Sequence, residues 1–333
     1  MDKQYILVDA ANMFFRARHV VRGEDAETKV GMAYHIMFNS INKVWRDFKG
    51  SHVVVCLEGR SWRKEVDTTY KANRTAARMA LSPKEAEEDK IFWQAFDELK
   101  EYLQSKSNCT VLRHERCEAD DFIARFIQNH PEDEHVIVSS DSDFYQLLAP
   151  NVRQFNGISK QLITIEGIFD EKGRRIKDKK TKEPKLLEDP QYLLFRKICR
   201  GDTSDNIFSA FPGCREKGTK NKVGIREAYE DRNKQGFAYN NFMLQHFIDH
   251  EGNEIRVKDA FARNKTLIDL TAQPDDIKLS VDTNIREGVR RTTIPQVGIH
   301  LMKFASKFSL NKIADNAETY AKWLNSPYVG VLK

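Results

Sequence analysis

Nine acidic residues are the part of this sequence most able to do chemistry. They occur in separate groups, each just past an apolar run, and nothing in their local neighbourhoods neutralises them: Asp9, Glu58, the trio Glu118, Asp120 and Asp121, the pair Asp141 and Asp143, and the pair Asp202 and Asp205. Two carboxylates about 4 Å apart repel by roughly 4 kcal/mol at an effective dielectric constant of about 20. If folding brings these groups together, bound cations must offset that repulsion. Hard oxygen ligands suit Mg²⁺, with Mn²⁺ able to substitute, and two such ions are a usual means of cleaving phosphodiesters.

The spacing within two of the acidic groups favours metal binding over helix capping. On an ideal helix Glu118 and Asp121 share a face while Asp120 points elsewhere, so the trio converges only if the helix starts within it. Asp141 and Asp143 directly follow a buried strand, where a turn needs at most one acid. For the other groups taken singly, a cap or a turn explains the acid at least as well.

A basic run between residues 60 and 78 contains candidate contacts to a phosphate and to a base. Arg63 and Arg78 belong to this run and could contact nucleic acid. Lys71 and Arg74 share a helical face and could neutralise charge developing on a phosphoryl oxygen, while Tyr70 could stack on a base. Such a run is usually a solvated face, but its position just after Glu58 favours function.

Two further segments could bind a polyanion. The segment within two helical turns after Asp9 contains Asn12, Phe15 and Arg16, of which Phe15 could stack on a base and Arg16 could hold a phosphate. A connector rich in glycine and cations could clamp the backbone of a duplex through four side chains: Arg215, Lys217, Lys220 and Lys222.

Short apolar runs predict the strands that position the acids, namely residues 4–8, 52–57, 109–112 and 135–140. Nearly continuous apolar strands that alternate with helical patterns are typical of a mostly parallel α/β sheet. Ligands of such sheets bind outside the carboxyl ends of the strands. Asp9, Glu58 and Asp141 occupy these ends.

The sequence predicts two parts, an α/β core over residues 1–190 and a helical part over residues 191–333. Residues 171–185 are highly charged and read as a loop or a flexible basic excursion. Beyond residue 190, helical patterns continue through residues 242–248 and 297–308.

Composition points to a cytoplasmic protein with a basic surface. The 333 residues include 54 Lys and Arg against 49 Asp and Glu, which gives a net charge of +5. With nine acids gathered in one pocket, the remaining surface would be distinctly basic, as suits a polyanionic partner. The five cysteines have no CxxC spacing and support neither a zinc site nor a disulfide framework. No apolar run reaches the length of a signal or a membrane span, and we expect a monomer.

Six segments taken in order resemble the 5′ nuclease superfamily, which includes flap endonucleases and the 5′-to-3′ exonuclease domains of bacterial DNA polymerase I: DAANMFFR, EGR, YKANR, EADD, SSDSDF and GDTSDN. They span residues 9–206, and the chain is most similar to phage members, particularly the ribonuclease H of T-even phages. Two features depart from the family pattern. Glu58 stands where the family usually has Asp, and the segment FPGCREKGTKNKVG lacks the family's compact glycine pattern.

The resemblance implies a mostly parallel α/β core with a helical arch within about residues 60–105. It also implies a helix-hairpin-helix-like module in the helical C-terminal part. Two divalent ions would be held by the nine acids, with Lys71 and Arg74 acting on the scissile phosphate. The implied activity is that of a two-metal, structure-specific 5′ nuclease that removes RNA primers and 5′ flaps during DNA replication, combining 5′-3′ exonuclease, flap endonuclease and ribonuclease H activities.

The implied substrates are branched or nicked duplex DNA with a 5′ end and RNA–DNA hybrids. Single-stranded-DNA-binding protein and other replication proteins are candidate partners, and a phage protein would act in the host cytoplasm. Two other classes compete with this interpretation. A PIN-type endoribonuclease would not need the chain beyond residue 190, and a non-catalytic DNA-junction binder would be expected to have lost acids that are all present here.

Overall fold

A mostly parallel sheet forms the centre of the first part of the protein. The computed structural model describes residues 3–18, 25–249, 251–289 and 293–330. Within these ranges seven strands form one sheet in the order β3-β2-β1-β4-β5-β6-β7. The first five in that order run parallel, and β6 and β7 add an antiparallel edge. The strands are β1 (Gln4–Asp9), β2 (His52–Cys56), β3 (Thr110–Leu112), β4 (Glu134–Val138), β5 (Val152–Asn156), β6 (Gln161–Thr164) and β7 (Gly167–Phe169).

Helices between the strands complete the first half of the chain, and a 3₁₀ helix spans Ser142–Leu147. They are α1 (Ala10–Ala17), α2 (Ala26–Asp47), α3 (Arg63–Val66), α4 (Ala72–Met79), α5 (Pro83–Lys106) and α6 (Ala119–Asn129). Local sequence explains where they start. Asp9 caps α1, and Ser82 with Pro83 and Glu85 forms a capping box that begins α5.

The second half of the chain is mainly helical, with one small hairpin. Its elements are α7 (Pro190–Arg200), α8 (Ile225–Asp231), α9 (Phe237–Met243), β8 (His246–Ile248), β9 (Glu254–Arg256), α10 (Val257–Ile268), α11 (Asp275–Gly288), α12 (Val297–Lys307), α13 (Asn311–Ala314) and α14 (Ala317–Leu324). In the described part of the chain, no helix combines the length and apolar character needed to cross a membrane.

The chain divides into two compact units, each made from separate stretches of sequence. The sheet unit comprises Met1–Ser61, Leu81–Leu187 and Pro274–Lys333, and the helical unit comprises Trp62–Ala80 and Glu188–Gln273. In the sheet unit, α12 and α14 pack with α2 and share its apolar core, where Trp323 is fully buried. The units therefore follow a different division from the single boundary near residue 190 expected from the sequence, because the last helices supply core side chains to the sheet unit.

The predicted mostly parallel sheet flanked by helices is confirmed, with local differences, whereas the helical arch and the helix-hairpin-helix-like module stay predictions. A helix over residues 242–248 was wrong: α9 ends at Met243, and β8 pairs antiparallel with β9. A turn closes this hairpin, with Asp249 Oδ1 accepting from the Asn253 backbone N–H at 2.8 Å and Gly252 at φ +86°. The parallel strand β5 and the antiparallel edge strands β6 and β7 were not predicted, because strands of three to five residues without a continuous apolar run carry too little pattern to detect.

The charged segment 171–185 is largely exposed, and its backbone forms hydrogen bonds with β7. The backbone N–H of Lys185 donates to Ile176 O at 2.8 Å, and that of Asp178 donates to Glu183 O at 2.9 Å. The segment thus forms an exposed loop that pairs with itself. The five cysteines are free thiols, four of them buried.

Candidate active site

Strand register brings three of the acidic groups to one edge of the sheet. Asp9, the last residue of β1, lies opposite Cys56, the last residue of β2. Val8 lies opposite Val138, the last residue of β4. Glu58 follows β2 by two residues and Asp141 follows β4 by three. As predicted, Asp9, Glu58 and Asp141 stand at the carboxyl ends of neighbouring parallel strands.

The trio Glu118, Asp120 and Asp121 converges at the start of α6. The helix begins at Ala119, so Glu118 is its N-cap while Asp120 and Asp121 lie in its first turn. One carboxylate oxygen from each lies within 4.8 Å of the others. Glu118 is 4% exposed and Asp121 is fully buried. This geometry meets the condition set by the sequence, that the helix start within the trio.

Hydrogen-bond donors hold the trio in place. Ser61 Oγ donates to Glu118 Oε2 at 2.6 Å, and the Glu118 backbone N–H donates to Asp121 Oδ2 at 2.9 Å. The Ala119 N–H donates to Glu58 Oε2 at 3.4 Å, which places Glu58 beside the trio. Hydrogen bonds from neighbouring protein groups therefore orient these carboxylates.

Gly59 lets the segment that carries Glu58 approach the turn before α6. Its N–H donates to Cys117 O at 2.8 Å. A Cβ at this position would lie 2.0 Å from His114 O and 2.8 Å from Cys117 O. Because real Cβ atoms do not come that close to backbone oxygens, only glycine fits here.

A chain of hydrogen bonds connects Asp9 to the acids that follow β4. Asp9 accepts from the Asn12 backbone N–H at 3.2 Å and from Ser139 Oγ at 2.9 Å. Ser139 Oγ in turn accepts from the Asp141 N–H at 3.1 Å, and Asp141 Oδ1 accepts from the Asp143 N–H at 3.0 Å. Sequence reasoning missed Ser61 and Ser139. The one available signal was a hydroxyl side chain within three residues of a strand-end acid.

The pKa of the Cys56 thiol reflects the negative charge at this edge of the sheet. Burial raises the pKa of its thiol well above the ordinary value, and the carboxylates of Asp9, Glu58 and Asp120 raise it further. These three acids thus act on one buried atom at the end of β2. The donor set consists of carboxylate oxygens, which fits a hard divalent cation such as Mg²⁺ or Mn²⁺.

The acids of the helical unit are neutralised by cations, contrary to the expectation from their local sequence. Asp205 accepts from Arg74 Nη2 at 2.6 Å and lies 3.7 Å from Lys71 Nζ. Asp202 pairs with Lys197 at 2.6 Å. Burial acts to raise the pKa of Asp202, but Lys197 and Ser204 hold it below its ordinary value. Lys71 and Arg74 therefore meet on Asp205, although they lie more than 130 residues away from it in sequence.

Tyr70 and Arg63 are buried, which contradicts the nucleic-acid contacts predicted for them. The Tyr70 ring is 2% exposed among Ile198, Ile207 and Leu267, so it does not present a face to a base. Its hydroxyl donates to Asp205 Oδ2 at 3.1 Å. Arg63 is fully buried, and its Nε donates to Leu267 O at 2.9 Å, which removes it from the set of surface contacts.

The other predicted contacts lie partly or fully at the surface, and their roles stay predictions. Phe15 is half-buried, with its ring 4.5 Å from that of Trp93. Asn12 Oδ1 accepts from the Ser140 backbone N–H at 3.0 Å and from its hydroxyl at 2.7 Å. Six cations are exposed: Arg16, Arg78, Arg215, Lys217, Lys220 and Lys222.

Strand-end carboxylates on a mostly parallel sheet define a class of α/β protein with a candidate divalent-metal centre. Residues 4–175 match the family model described as "5'-3' exonuclease, N-terminal resolvase-like domain". The chain belongs to this family, and the resemblance to the 5′ nuclease superfamily is confirmed.

Two relatives illustrate this membership. The chain is 28% identical over 167 residues to a flap endonuclease Xni of Shewanella loihica, covering 49% of this chain and 59% of that protein. It is 26% identical over 239 residues to DNA polymerase I of Rhizobium leguminosarum, covering 68% of this chain and 20% of that protein. The match thus spans less than two thirds of either relative.

Two solved structures share the fold at low sequence identity. The T5 5′-exonuclease with divalent metal ions (zinc) bound has a TM-score of 0.59 at 19% identity, covering 86% of this chain and 99% of that one. The bacteriophage T5 flap endonuclease in a complex with DNA and metal ions has a TM-score of 0.55 at 17% identity, covering 95% and 100%.

Proposed function

We propose that this protein is a divalent-metal-dependent, structure-specific 5′ nuclease. Its substrates would be branched or nicked duplex DNA with a 5′ end and RNA–DNA hybrids, and its work in the cytoplasm would be removal of RNA primers and 5′ flaps during DNA replication. The observation that carries the proposal is the convergence of Glu118, Asp120 and Asp121 within 4.8 Å at the start of α6. Membership of the 5′-3′ exonuclease family supports it.

The metal-binding role is proposed for all nine acids. In the sheet unit, Ser61 and Ser139 hold Glu118 and Asp9 in fixed orientations, so little reorganisation is needed on loading. Two bound Mg²⁺ ions would promote ionisation of a water and offset charge at the phosphate. Asp202 and Asp205 are assigned to this role on the resemblance of their segment, GDTSDN, to the family.

Lys71 and Arg74 are proposed to contact the oxygens of the scissile phosphate. Water would add to phosphorus in line, the bond to the 3′ oxygen would break, and that oxygen would take up a proton. The products would be a 3′ hydroxyl and a 5′ phosphate. The helical unit, with Arg215, Lys217, Lys220 and Lys222, would hold the duplex through its backbone and without reading base sequence.

Cleavage of a 5′-flap duplex, labelled once at its 5′ end and once at its 3′ end, tests the activity. We expect products from both labels in Mg²⁺, none in excess chelator, and cleavage of the RNA strand of a hybrid. Cleavage of structured single-stranded RNA in preference to the flap would favour the PIN-type alternative. Flap binding with no cleavage in any divalent metal would favour the junction binder.

Two variants test the residue roles. Asp141→Asn should abolish cleavage while preserving flap binding in Ca²⁺. Lys71→Ala should slow turnover by about two orders of magnitude or more with duplex affinity nearly unchanged, whereas Lys84→Ala, at an exposed lysine on α5, should have no effect. Normal turnover in Asp141→Asn would reject the metal assignment, and normal turnover in Lys71→Ala would reject its catalytic role.

A further inference from the structure

The connector between α7 and α8 contains exposed cations, and two partly buried acids, one in the connector and one in α8, contact its backbone or the helix before it. We call residues 213–224 the basic loop. Four of its cations are exposed: Arg215, Lys217, Lys220 and Lys222. The acids are Glu216, within the loop, and Glu227, three residues beyond it in α8. Both acids are engaged by groups of the helical unit.

Glu227 joins the two ends of the turn within the basic loop. Its Oε2 accepts from the backbone N–H of Gly218 and from that of Gly224, both at 2.9 Å, and its Oε1 lies 3.1 Å from the Gly218 nitrogen. Burial acts to raise the pKa of Glu227, but these backbone donors hold it below the ordinary value. A charged carboxylate therefore closes the loop.

Close backbone contacts also define the shape of the basic loop. The Thr219 N–H donates to Lys222 O at 2.7 Å. A Cβ on Gly218 would lie 2.5 Å from Lys222 O, and one on Gly224 would lie 2.4 Å from the Gly218 nitrogen. Lys220 and Lys222 are displayed on the turn so formed.

Glu216 attaches the beginning of the loop to α7. Its carboxylate accepts from Arg200 Nη2 at 2.5 Å and from the Tyr192 hydroxyl. The Arg226 backbone N–H donates to Glu216 O at 3.0 Å. The loop is thus anchored at both of its ends by an acid.

We propose that Glu227, supported by Glu216, is a positioning residue that holds the basic loop in the shape that presents its cations to the phosphates of duplex DNA. This role rests on the proposed function. It gives a positive effect on DNA binding to Glu227 and Glu216, whose negative charges would by themselves repel DNA. Removing an acid near a polyanion site should strengthen binding through electrostatics alone, whereas removing Glu227 should weaken it.

The test compares two variants on α8 that each lose one negative charge, Glu227→Ala and Glu230→Ala. Glu230 is exposed on the same helix. Duplex binding is measured in Ca²⁺ over a range of salt. We expect Glu227→Ala to bind about tenfold more weakly, with a salt slope lower by about one, as for the loss of a phosphate contact. Glu230→Ala should bind as tightly as the parent or slightly more so.

Trypsin sensitivity without DNA reports on the loop itself. Cleavage after Lys217, Lys220 and Lys222 should be faster in Glu227→Ala than in Glu230→Ala. If Glu227→Ala does not fold, as judged by its thermal transition, Glu227→Gln takes its place, since an amide oxygen keeps an acceptor and should give an intermediate loss. Equal affinities and equal trypsin rates for the variants at 227 and 230 would overturn the proposal.

These measurements separate the inference from the proposed function. Absence of duplex binding by the parent protein would count against the nuclease assignment, while the trypsin comparison would still decide whether Glu227 holds the loop. Normal flap cleavage together with unchanged binding by Glu227→Ala would leave the nuclease assignment intact and reject the positioning role.

Discussion

Asp205 accepts a 2.6 Å hydrogen bond from Arg74, a residue 131 positions earlier in the chain. The Lys71 backbone N–H also donates to Asp205 O at 2.8 Å, and Lys71 itself has φ +56°. Asp205 therefore contacts both cations proposed to contact phosphate, Arg74 through its carboxylate and Lys71 through its backbone carbonyl and a 3.7 Å ion pair. The sequence assigned Asp205 to metal binding, and in the structure Asp205 also positions Lys71 and Arg74.

Tyr70→Phe tests whether the tyrosine acts through Asp205. The change keeps the buried ring and removes the hydroxyl that donates to Asp205 at 3.1 Å. We expect a loss of about 1.5–3 kcal/mol in the free energy of unfolding, since the acceptor is charged, and a turnover several-fold lower. Urea unfolding and single-turnover cleavage measure the two effects.

Tyr102→Phe is the matched control, because the Tyr102 hydroxyl is buried and has no hydrogen-bond partner among the residues that the structure describes. This variant should be as stable as the parent or more stable. Unaltered turnover in Tyr70→Phe would contradict the role through Asp205.

Ser61→Ala should weaken metal binding. The hydroxyl orients the buried Glu118 carboxylate through a 2.6 Å hydrogen bond. Loss of such an outer hydrogen bond typically lowers metal affinity by about 10–100-fold. Titration calorimetry with Mn²⁺ measures the change, with Ser105→Ala, at an exposed serine of α5, as the control. Identical Mn²⁺ affinities for the two variants would show that Ser61 does not orient the site.

Gly59→Ala should damage both stability and cleavage. The new methyl group would meet His114 O at 2.0 Å and force apart the segments that carry Glu58 and Glu118. Overpacking of this kind costs about 1–3 kcal/mol or more. Gly31→Ala lies within α2, where the nearest described atom outside the local helix backbone would be 3.9 Å from the new Cβ, and it should instead stabilise by about 0.5–1 kcal/mol. Denaturant unfolding and flap cleavage distinguish them, and a fully active Gly59→Ala would show that the close approach is dispensable.

Stability should fall as pH drops from about 6.5 to about 4. Burial lowers the pKa of His52 to about 4, against which its bond to Ser326 acts, and burial lowers that of His135 to about 4. Both stay neutral in the folded protein while the unfolded chain takes up protons below about 6.5. The stabilisation is therefore complete above that pH and lost through the window, by up to about 3 kcal/mol for each histidine.

Urea unfolding between pH 7.5 and 4.5 measures this dependence. Replacing His52 by Gln should flatten the slope of stability against pH, although the variant loses the bonds to Ser326 and Thr110 and is less stable at pH 7.5. His246→Gln, at an exposed histidine, should leave the slope unchanged. A slope in His52→Gln as steep as in the parent would refute the assignment.

Local sequence was sufficient to predict four of the five parallel strands, all except β5, and the acids that follow three of them. Apolar runs such as residues 4–8 report burial on both faces, and an acid just after such a run must lie at the carboxyl edge of a parallel sheet. The convergence of Glu118, Asp120 and Asp121 was foreseen as a condition on where α6 starts. Its fulfilment depends on the cap at Glu118, which the sequence alone left open.

Contacts between distant segments decided the rest. The sequence determined that carboxylates would gather at one edge of an α/β sheet, because parallel strands all end at the same edge. Only the tertiary structure decided that Tyr70 and Arg63 are buried, that Asp202 and Asp205 have cationic partners, and that Ser61 and Ser139 orient the acids. A hydrogen bond or an ion pair depends on a separation of a few ångströms in space, and distance along the chain does not report it.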